Sequence, residues 1–106
     1  MKRYIVCALA AALSVSIAHA GDASRGKELS APCAACHGAD GNSVAPDFPR
    51  LAGQYETYLF RALQDYKWGA RKNAIMAGQV EKLEKRDMAD LAAYFASQQG
   101  PLHTKH

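Results

Sequence analysis

The clearest pattern of hydrophobic and polar positions lies in the middle of the chain. Between residues 54 and 68 the apolar side chains recur at intervals of three and four, the period of one face of an α-helix. The residues of this stripe are Tyr55, Tyr58, Leu59, Ala62, Leu63 and Tyr66. Gly69 follows as a stop signal. The pattern therefore predicts a helix over residues 54–68.

Two further helices are predicted, one on each side of this segment. Asp22 is a favourable N-cap ahead of residues 23–30, which predicts a short first helix that Pro32 ends or bends. A last helix ends at the Gly-Pro pair of residues 100–101, and its apolar stripe comprises Met88, Leu91, Ala92 and Phe95. No segment alternates as a strand does, so we predict one all-α domain with three main helices.

The segments between these helices are rich in turn-forming and polar residues. Residues 43–53 contain two prolines and a glycine without helical periodicity, which predicts a loop. Residues 71–73 form a polar link, and residues 75–83 are a short mixed segment without periodicity. The tail after residue 101 is expected to fray.

The first twenty residues have the composition of a secretory leader. A basic start precedes an almost wholly apolar stretch over residues 5–17, and Ala18-His19-Ala20 has small residues where an A-x-A cleavage site needs them. The apolar stretch is shorter than the about 20 residues that span a bilayer, which disfavours an uncleaved anchor, and a core helix is weaker still. We expect a signal peptide at 1–20 and a mature domain at 21–106.

Cleavage after residue 20 changes the charge and the cysteine content. Loss of Lys2 and Arg3 lowers the 13 basic residues to 11 against 10 acidic ones, so the net charge falls from +3 to +1. So small a charge gives no electrostatic reason to expect nucleic-acid binding. Cys7 leaves with the leader, and Cys33 and Cys36 remain in a compartment that oxidises free thiol pairs.

The remaining cysteines belong to the segment Cys33-Ala34-Ala35-Cys36-His37, which matches the C-x-x-C-H pattern of c-type haem attachment. Two thiols at this spacing suit the two vinyl groups of a porphyrin, and the histidine that follows can bind the iron. The alternatives are a thioredoxin-like site, a zinc site and a structural disulfide. The first needs a βαβ context, the second needs four ligands, and the third closes a very short loop.

A six-coordinate iron needs a second axial ligand besides His37. Met76 lies in the aperiodic segment after the polar link, where a loop could fold over the opposite face of a haem, and it is the favoured candidate. Met88 occupies the apolar stripe of the last helix, where methionine fits as core filler. His103 and His106 in the tail are further alternatives. We therefore expect His37 and Met76 to be the metal ligands.

The mature chain resembles the class I c-type cytochromes, of the small periplasmic monohaem kind that also forms each half of certain two-haem cytochromes. The resemblance covers nearly all of residues 22–99. Its matching segments are CAACHG at 33–38, FPRLAGQ at 48–54, Tyr58-Leu59, Gly69 with Arg71, Met76, and DLAAYF at 90–95. The fold it implies is the small cytochrome c fold, with three main helices packed around one covalently bound haem c.

The resemblance also implies roles for individual residues. It implies a close crossing of the first and last helices, with Gly26 facing Tyr94. It implies that the carbonyl of Pro49 accepts a hydrogen bond from the proximal histidine and thereby orients that ring. Leu51 is expected to pack on the haem. Arg71 is expected near a haem propionate, although a solvated cation at a helix end is the competing interpretation.

The sequence departs from the family pattern at the start of the last helix. Family members often have serine or threonine as the N-cap there, whereas this chain has Glu84-Lys85-Arg86. We expect this change to weaken the helix start by about 1 kcal/mol, unless Glu84 caps it poorly but adequately. A second C-x-x-C-H is absent, so one haem is expected in this chain.

The function expected from these features is single-electron transport in the periplasm, without enzymatic activity. An iron bound by both His37 and Met76 has no vacant site, which suits a carrier. The expected partners are redox proteins, such as a quinol-oxidising complex, a terminal oxidase or a dehydrogenase, with no nucleic acid and no stable membrane insertion after signal cleavage. The main alternative is a haem-bearing subunit of a dehydrogenase complex. A haem catalyst or gas sensor and a thiol–disulfide oxidoreductase are weaker alternatives.

Overall fold

The computed structural model describes residues 21–102. Within that range the chain forms α-helices and no β-strand, which confirms the all-α prediction. The helices are α1 (Ala23–Leu29), α2 (Ala31–His37), α3 (Glu56–Trp68), α4 (Ala74–Val80) and α5 (Lys85–Ala96). The predicted signal peptide and the tail histidines His103 and His106 lie outside the described residues. None of the helices within residues 21–102 is long and apolar enough to cross a membrane.

The first predicted helix, over residues 23–30, corresponds to α1, and a short helix that was not predicted, α2, follows it directly. The side chain of Asp22 accepts a hydrogen bond from the Arg25 amide at 3.1 Å and caps α1. The chain breaks at Ser30 and restarts with Pro32 in the first turn of α2. Proline is tolerated there because first-turn amides have no partner within the helix. Residues 33–37 therefore lie in a helix, and the two cysteines are one turn apart on one face.

Helices α1 and α5 cross where their backbones touch. Gly26 is buried, and a Cβ atom built on it would lie inside contact distance of the Asp90 carbonyl oxygen and 2.8 Å from the Cβ of Tyr94. The predicted contact between Gly26 and Tyr94 is therefore confirmed. The hydroxyl of Tyr94 also donates to the carbonyl of Ala39 at 2.8 Å, so α5 holds the turn that follows α2.

The hydrophobic core is centred on α5. The predicted apolar stripe is confirmed, because all four of its residues are buried: Met88, Leu91, Ala92 and Phe95. Helix α3 packs across α5 and adds Leu59 to the same core cluster, while α4 packs on α3. The chain thus forms its densest packing around its last helix.

The start of α5 is capped more effectively than the sequence suggested. The amide of Glu84 donates to Oδ2 of Asp87 at 2.8 Å, and the two residues form a reciprocal capping box. Both terminal amides gain side-chain acceptors in such an arrangement. An acidic pair therefore takes the place of the usual serine or threonine cap, and the expected weakening of about 1 kcal/mol stays a prediction.

Arg25 joins α1 to α5 through two carboxylates. Its Nη2 lies 2.6 Å from Oδ1 of Asp87, and its Nη1 lies 2.7 Å from Oδ2 of Asp90. Hydrogen bonds from the Glu84 amide and from Arg25 hold the pKa of Asp87 below its ordinary value. Burial alone would raise the pKa of Asp90, but hydrogen bonds from Arg25 and from the Asp22 amide outweigh it and leave that pKa lowered. Both acids are therefore ionised at neutral pH.

Candidate haem-binding site

Helix α2 carries two thiols that are not joined to each other. Cys33 and Cys36 are free cysteines, and both are half-buried. Cys33 packs against the core cluster that includes Leu91 and Phe95. Burial raises the pKa of the Cys33 thiol, and the neighbouring Cys36 adds to the rise. A thiol in this state is a poor nucleophile, unlike the low-pKa cysteines that exchange disulfides.

His37 is the last residue of α2, and its ring is fixed in orientation. The side chain is buried, and its Nδ1 lies 2.8 Å from the carbonyl oxygen of Pro49. A carbonyl oxygen can only accept, so Nδ1 must carry the hydrogen of the neutral ring. Nε2 then keeps its lone pair, the electron pair with which a neutral imidazole binds a metal. The structure thus brings His37 and Pro49 together, as the resemblance implied, and leaves Nε2 of His37 available to a metal.

Two residues that the sequence analysis did not single out also hold this end of α2. The ring of Phe48 stands edge-on to the imidazole of His37, with 6.3 Å between ring centroids and an interplanar angle of 68°. The hydroxyl of Ser43, a buried residue, lies 3.4 Å from the carbonyl oxygen of Cys36. The adjacency of Phe48 to Pro49 was the only sequence signal for the first contact. Together these contacts tie the loop to the last turn of α2.

The two remaining pocket residues of the prediction have different surroundings. Leu51 is half-buried and packs against the same core cluster as Cys33. Arg71 is exposed, and its guanidinium lies 4.8 Å from the centroid of the Tyr66 ring on α3. Leu51 therefore shares a core with the attachment helix, whereas the contact of Arg71 is with α3. Its role beside a propionate stays a prediction.

Met76 lies in a helix, so the prediction of a loop at this position is wrong. Asn73 caps α4 by accepting hydrogen bonds from the amides of Ile75 and Met76, at 3.0 and 3.1 Å. Two helical turns are too few to produce a visible apolar period, and Gly78 lowers the helix propensity further. Within α4 only Met76 and Val80 are shielded from solvent, and they lie one turn apart. These two residues therefore form the inner face of α4.

The two methionines of the mature domain differ in accessibility. Met88 is 0% exposed within α5 and fills the core, as its position in the apolar stripe predicted. Met76 is half-buried, on a helix that packs against α3. A ligand to a cofactor must present its sulfur to a space outside the protein core. Met76 is partly accessible, whereas Met88 is fully buried, so accessibility favours Met76, and the ligation itself stays a prediction.

Comparison with known proteins identifies the family. The family model for cytochrome c matches residues 23–99. The chain belongs to the cytochrome c family. It is 50% identical over 99 residues to cytochrome c4 of Pseudomonas aeruginosa, a match that covers 92% of this chain and 49% of that relative. It is also 43% identical over 83 residues to cytochrome c-554(548) of Halomonas halodenitrificans, covering 76% of this chain and 100% of that relative.

The fold comparison agrees with the sequence comparison. The crystal structure of reduced recombinant cytochrome c4 from Pseudomonas stutzeri matches with a TM-score of 0.73 and 50% identity, covering 76% of this chain and 47% of that chain. The chain spans about half the length of the cytochrome c4 relatives that it matches. The resemblance to class I c-type cytochromes, and to one half of a two-haem member, is therefore confirmed.

Membership of this family implies one covalently bound haem c, and the donor set of this chain fits that group. Cys33 and Cys36 are unbridged thiols at the attachment spacing. His37 retains a free Nε2 because Pro49 occupies Nδ1. Met76 adds a soft thioether of the kind that raises a haem potential. The residues present therefore suit a c-type haem better than a zinc ion or a disulfide.

Proposed function

We propose that this chain is a monohaem carrier that passes single electrons between redox proteins and is not an enzyme. The observation that carries the proposal is the arrangement at the end of α2. Two unbridged thiols precede a buried imidazole whose Nδ1 is fixed 2.8 Å from the Pro49 carbonyl oxygen. A bound haem supplies a one-electron iron couple at this site.

Each site residue has a distinct task in this proposal. Cys33 and Cys36 hold the group covalently, so it is not lost during encounters with partner proteins. His37 and Met76 hold the metal from two separate helices, which leaves no coordination position for an exogenous ligand. Pro49 keeps the His37 ring in one tautomer and one orientation through the hydrogen bond to Nδ1. A site fixed in this way changes little between oxidation states, which suits electron transfer.

The proposed location is the periplasm, after cleavage of the leader between Ala20 and Gly21. The basic start, the apolar stretch and the small residues at the cleavage site support this location. The proposed partners are a donor such as a quinol-oxidising complex or a dehydrogenase, and an acceptor such as a terminal oxidase. The similarity to cytochromes c4 supports a soluble redox role of this kind.

A second candidate function is that of a haem subunit fixed to a dehydrogenase. The chain is 36% identical over 74 residues to the cytochrome subunit of sulfide dehydrogenase of Chlorobaculum tepidum, covering 70% of this chain and 66% of that relative. Co-purification at native expression level separates the two candidates. A free carrier elutes alone at the size of its own chain, whereas a subunit elutes with a larger protein in fixed ratio.

The experiment that tests the proposed function is a potentiometric titration of the purified protein followed in the visible region. We expect one pyridine haemochrome per chain and a single reversible transition with the slope of a one-electron couple. We also expect no spectral change when carbon monoxide is added to the reduced protein. Binding of carbon monoxide at modest concentration would indicate an open iron site and favour a haem catalyst or gas sensor.

A further inference from the structure

The residue that would begin the mature chain is held between two helices. The nitrogen of Gly21 lies 3.3 Å from Oε2 of Glu56, in the first turn of α3. The next amide, that of Asp22, donates to Oδ1 of Asp90 on α5 at 2.7 Å. Two consecutive backbone nitrogens therefore point at carboxylates on two different helices.

The position of Gly21 is also fixed by packing. A Cβ atom built on Gly21 would lie inside contact distance of the Ala89 carbonyl oxygen and 2.8 Å from the amide nitrogen of Asp90. Any larger residue would have to move the start of the chain away from α5. Glycine at this position therefore keeps the backbone nitrogen beside Glu56.

The carboxylate of Glu56 lacks a side-chain cation among the described residues. Lys85 and Arg86 line the same groove, but neither comes within 4.0 Å of Glu56. Arg86 lies 3.8 Å from Asp90, which also pairs with Arg25. Within residues 21–102, the polar group that contacts the Glu56 carboxylate is therefore the backbone nitrogen of Gly21.

We propose that Glu56 is the binding site for the α-ammonium group that signal-peptide cleavage creates at Gly21. Hydrolysis of the bond between Ala20 and Gly21 gives the hydroxyl of water to the Ala20 carbonyl and a hydrogen to the Gly21 nitrogen, which then takes up a proton. The same nitrogen changes from a neutral amide to a cation without having to move. A hydrogen bond between charged groups is about twice as strong as a neutral one, so processing fastens the mature N-terminus to α3.

The inference rests on the proposed cleavage after Ala20, and it is tested with four haem-loaded mature proteins. Two of them begin at Gly21, and two carry one extra alanine before Gly21. Within each pair, one protein has Glu56 and the other has Glu56→Gln. One residue moves the ammonium by about 3.8 Å, beyond contact. In the Glu56 background we expect the extra alanine to lower Tm by about 2–5 °C, the shift of a partly exposed ion pair in a domain of this size. In the Glu56→Gln background the same insertion should change Tm by less than about 1 °C.

An equal Tm loss in both backgrounds, or none in either, would overturn the proposal. Glu28→Gln, an exposed acid on α1, is the matched control and should leave the effect of the extra alanine intact. If the intact mass of the naturally processed protein shows that it begins at a residue other than Gly21, the proposal is also overturned. Haem content and the one-electron titration test the proposed function separately.

A pH series gives a second readout of the same ion pair. An α-amino group ordinarily titrates near pH 7.7–8.0, and a carboxylate partner raises that pKa in the folded state. The stability from the pair should therefore be present at pH 7 and lost as the pH rises through the raised pKa of the α-amino group. Four other charged residues also face this groove, and they are the same in the Glu56 and Glu56→Gln proteins: Asp22, Asp90, Lys85 and Arg86. Loss of stability over this range must be larger with Glu56 than with Glu56→Gln; equal losses would contradict the ion pair.

Discussion

The crossing of α1 and α5 and the side formed by α3 and α4 are built in opposite ways. At the crossing, Met88 and Ala92 are 0% exposed, and Gly26 touches the backbone of Asp90. On the other side, Trp68 and Ile75 are 64% and 62% exposed. The α1–α5 side is therefore covered by protein, whereas the α3–α4 side has large apolar side chains at its surface.

This difference shows what a covalent haem would contribute to the fold. A mature domain of this size buries a modest fraction of its surface, and its net stability is small before any cofactor binds. Burial of apolar surface stabilises by about 25 cal/mol per Å². A flat apolar group attached through α2 and ligated from α4 would add buried surface on the incomplete side. The site and the stability of the fold are therefore expected to depend on each other.

The largest expected effect comes from preventing haem attachment. A Cys33→Ala, Cys36→Ala double variant exported without haem lacks the covalent anchor for the group, while the residues of α1 and α5 are unchanged. We expect little helix and no cooperative thermal transition, measured by far-UV and near-UV circular dichroism. Ala35→Ser, an exposed change between the two cysteines, should melt like the parent protein. A sharp native-like transition in the double variant would mean that the helices need no haem.

The next effect tests the closed side alone. Gly26→Ala would push a methyl group into the Asp90 carbonyl, and overpacking of this kind costs about 1–3 kcal/mol, sometimes more. Gly78→Ala on α4 is the matched control, because a Cβ there meets nothing within 4 Å. Its higher helix propensity should stabilise by about 0.5–1 kcal/mol. Urea unfolding of the haem-loaded proteins measures both, and equal effects at the two glycines would refute the close crossing.

A third comparison separates the two methionines. Met76→Ala should abolish the weak near-infrared charge-transfer band of methionine-ligated ferric iron and lower the reduction potential. Met88→Leu should leave the band in place and cost less than about 1.5 kcal/mol, because the core volume is nearly conserved. If the band survives Met76→Ala and disappears in Met88→Leu, the ligand is Met88 and the interpretation of α4 fails.

The smallest expected effect is the acid sensitivity of the crossing. The pKa values of Asp87 and Asp90 lie below the ordinary 3.8, so the unfolded chain takes up protons first as the pH falls. Stability from these pairs is therefore complete above about pH 5 and is lost as the pH falls through the lower native values. Arg25→Gln should make the loss shallower in acid unfolding titrations. Arg61→Gln, in an exposed pair at 4.0 Å, should not change it, and identical slopes for both variants would contradict this assignment.

The same two regions explain how much the sequence could predict. The stripe of α5 was readable because one protein face covers it along its whole length. The apolar stripe of α3 could also be predicted, but Tyr55 and Tyr58 are about half exposed, at 52% and 51%. The periodicity indicates which residues share a face of the helix, and it does not indicate what covers that face. Helix α4 was missed because two turns with Gly78 show no period. It is defined instead by the cap that Asn73 provides.

The site followed a similar division between local and non-local information. The attachment motif is contiguous, so its spacing alone carried the haem prediction. The contact between His37 and Pro49 spans a loop and came from family resemblance. For the edge contact of Phe48 with His37 the only signal was the adjacency of Phe48 to Pro49, since pairing of two rings depends on how the loop closes. Capping by Glu84 and Asp87 is local, at a spacing of three residues, and it was missed because an acidic pair replaces the usual serine or threonine cap.

The central claim is that Cys33 and Cys36 hold one haem, and intact mass combined with thiol titration of the purified mature protein tests it most directly. We expect the mass of the polypeptide 21–106 plus one haem, no titratable thiol under denaturing conditions, and colour that stays with the protein after acid–acetone extraction. A polypeptide mass without haem, together with two titratable thiols and no colour, would contradict it.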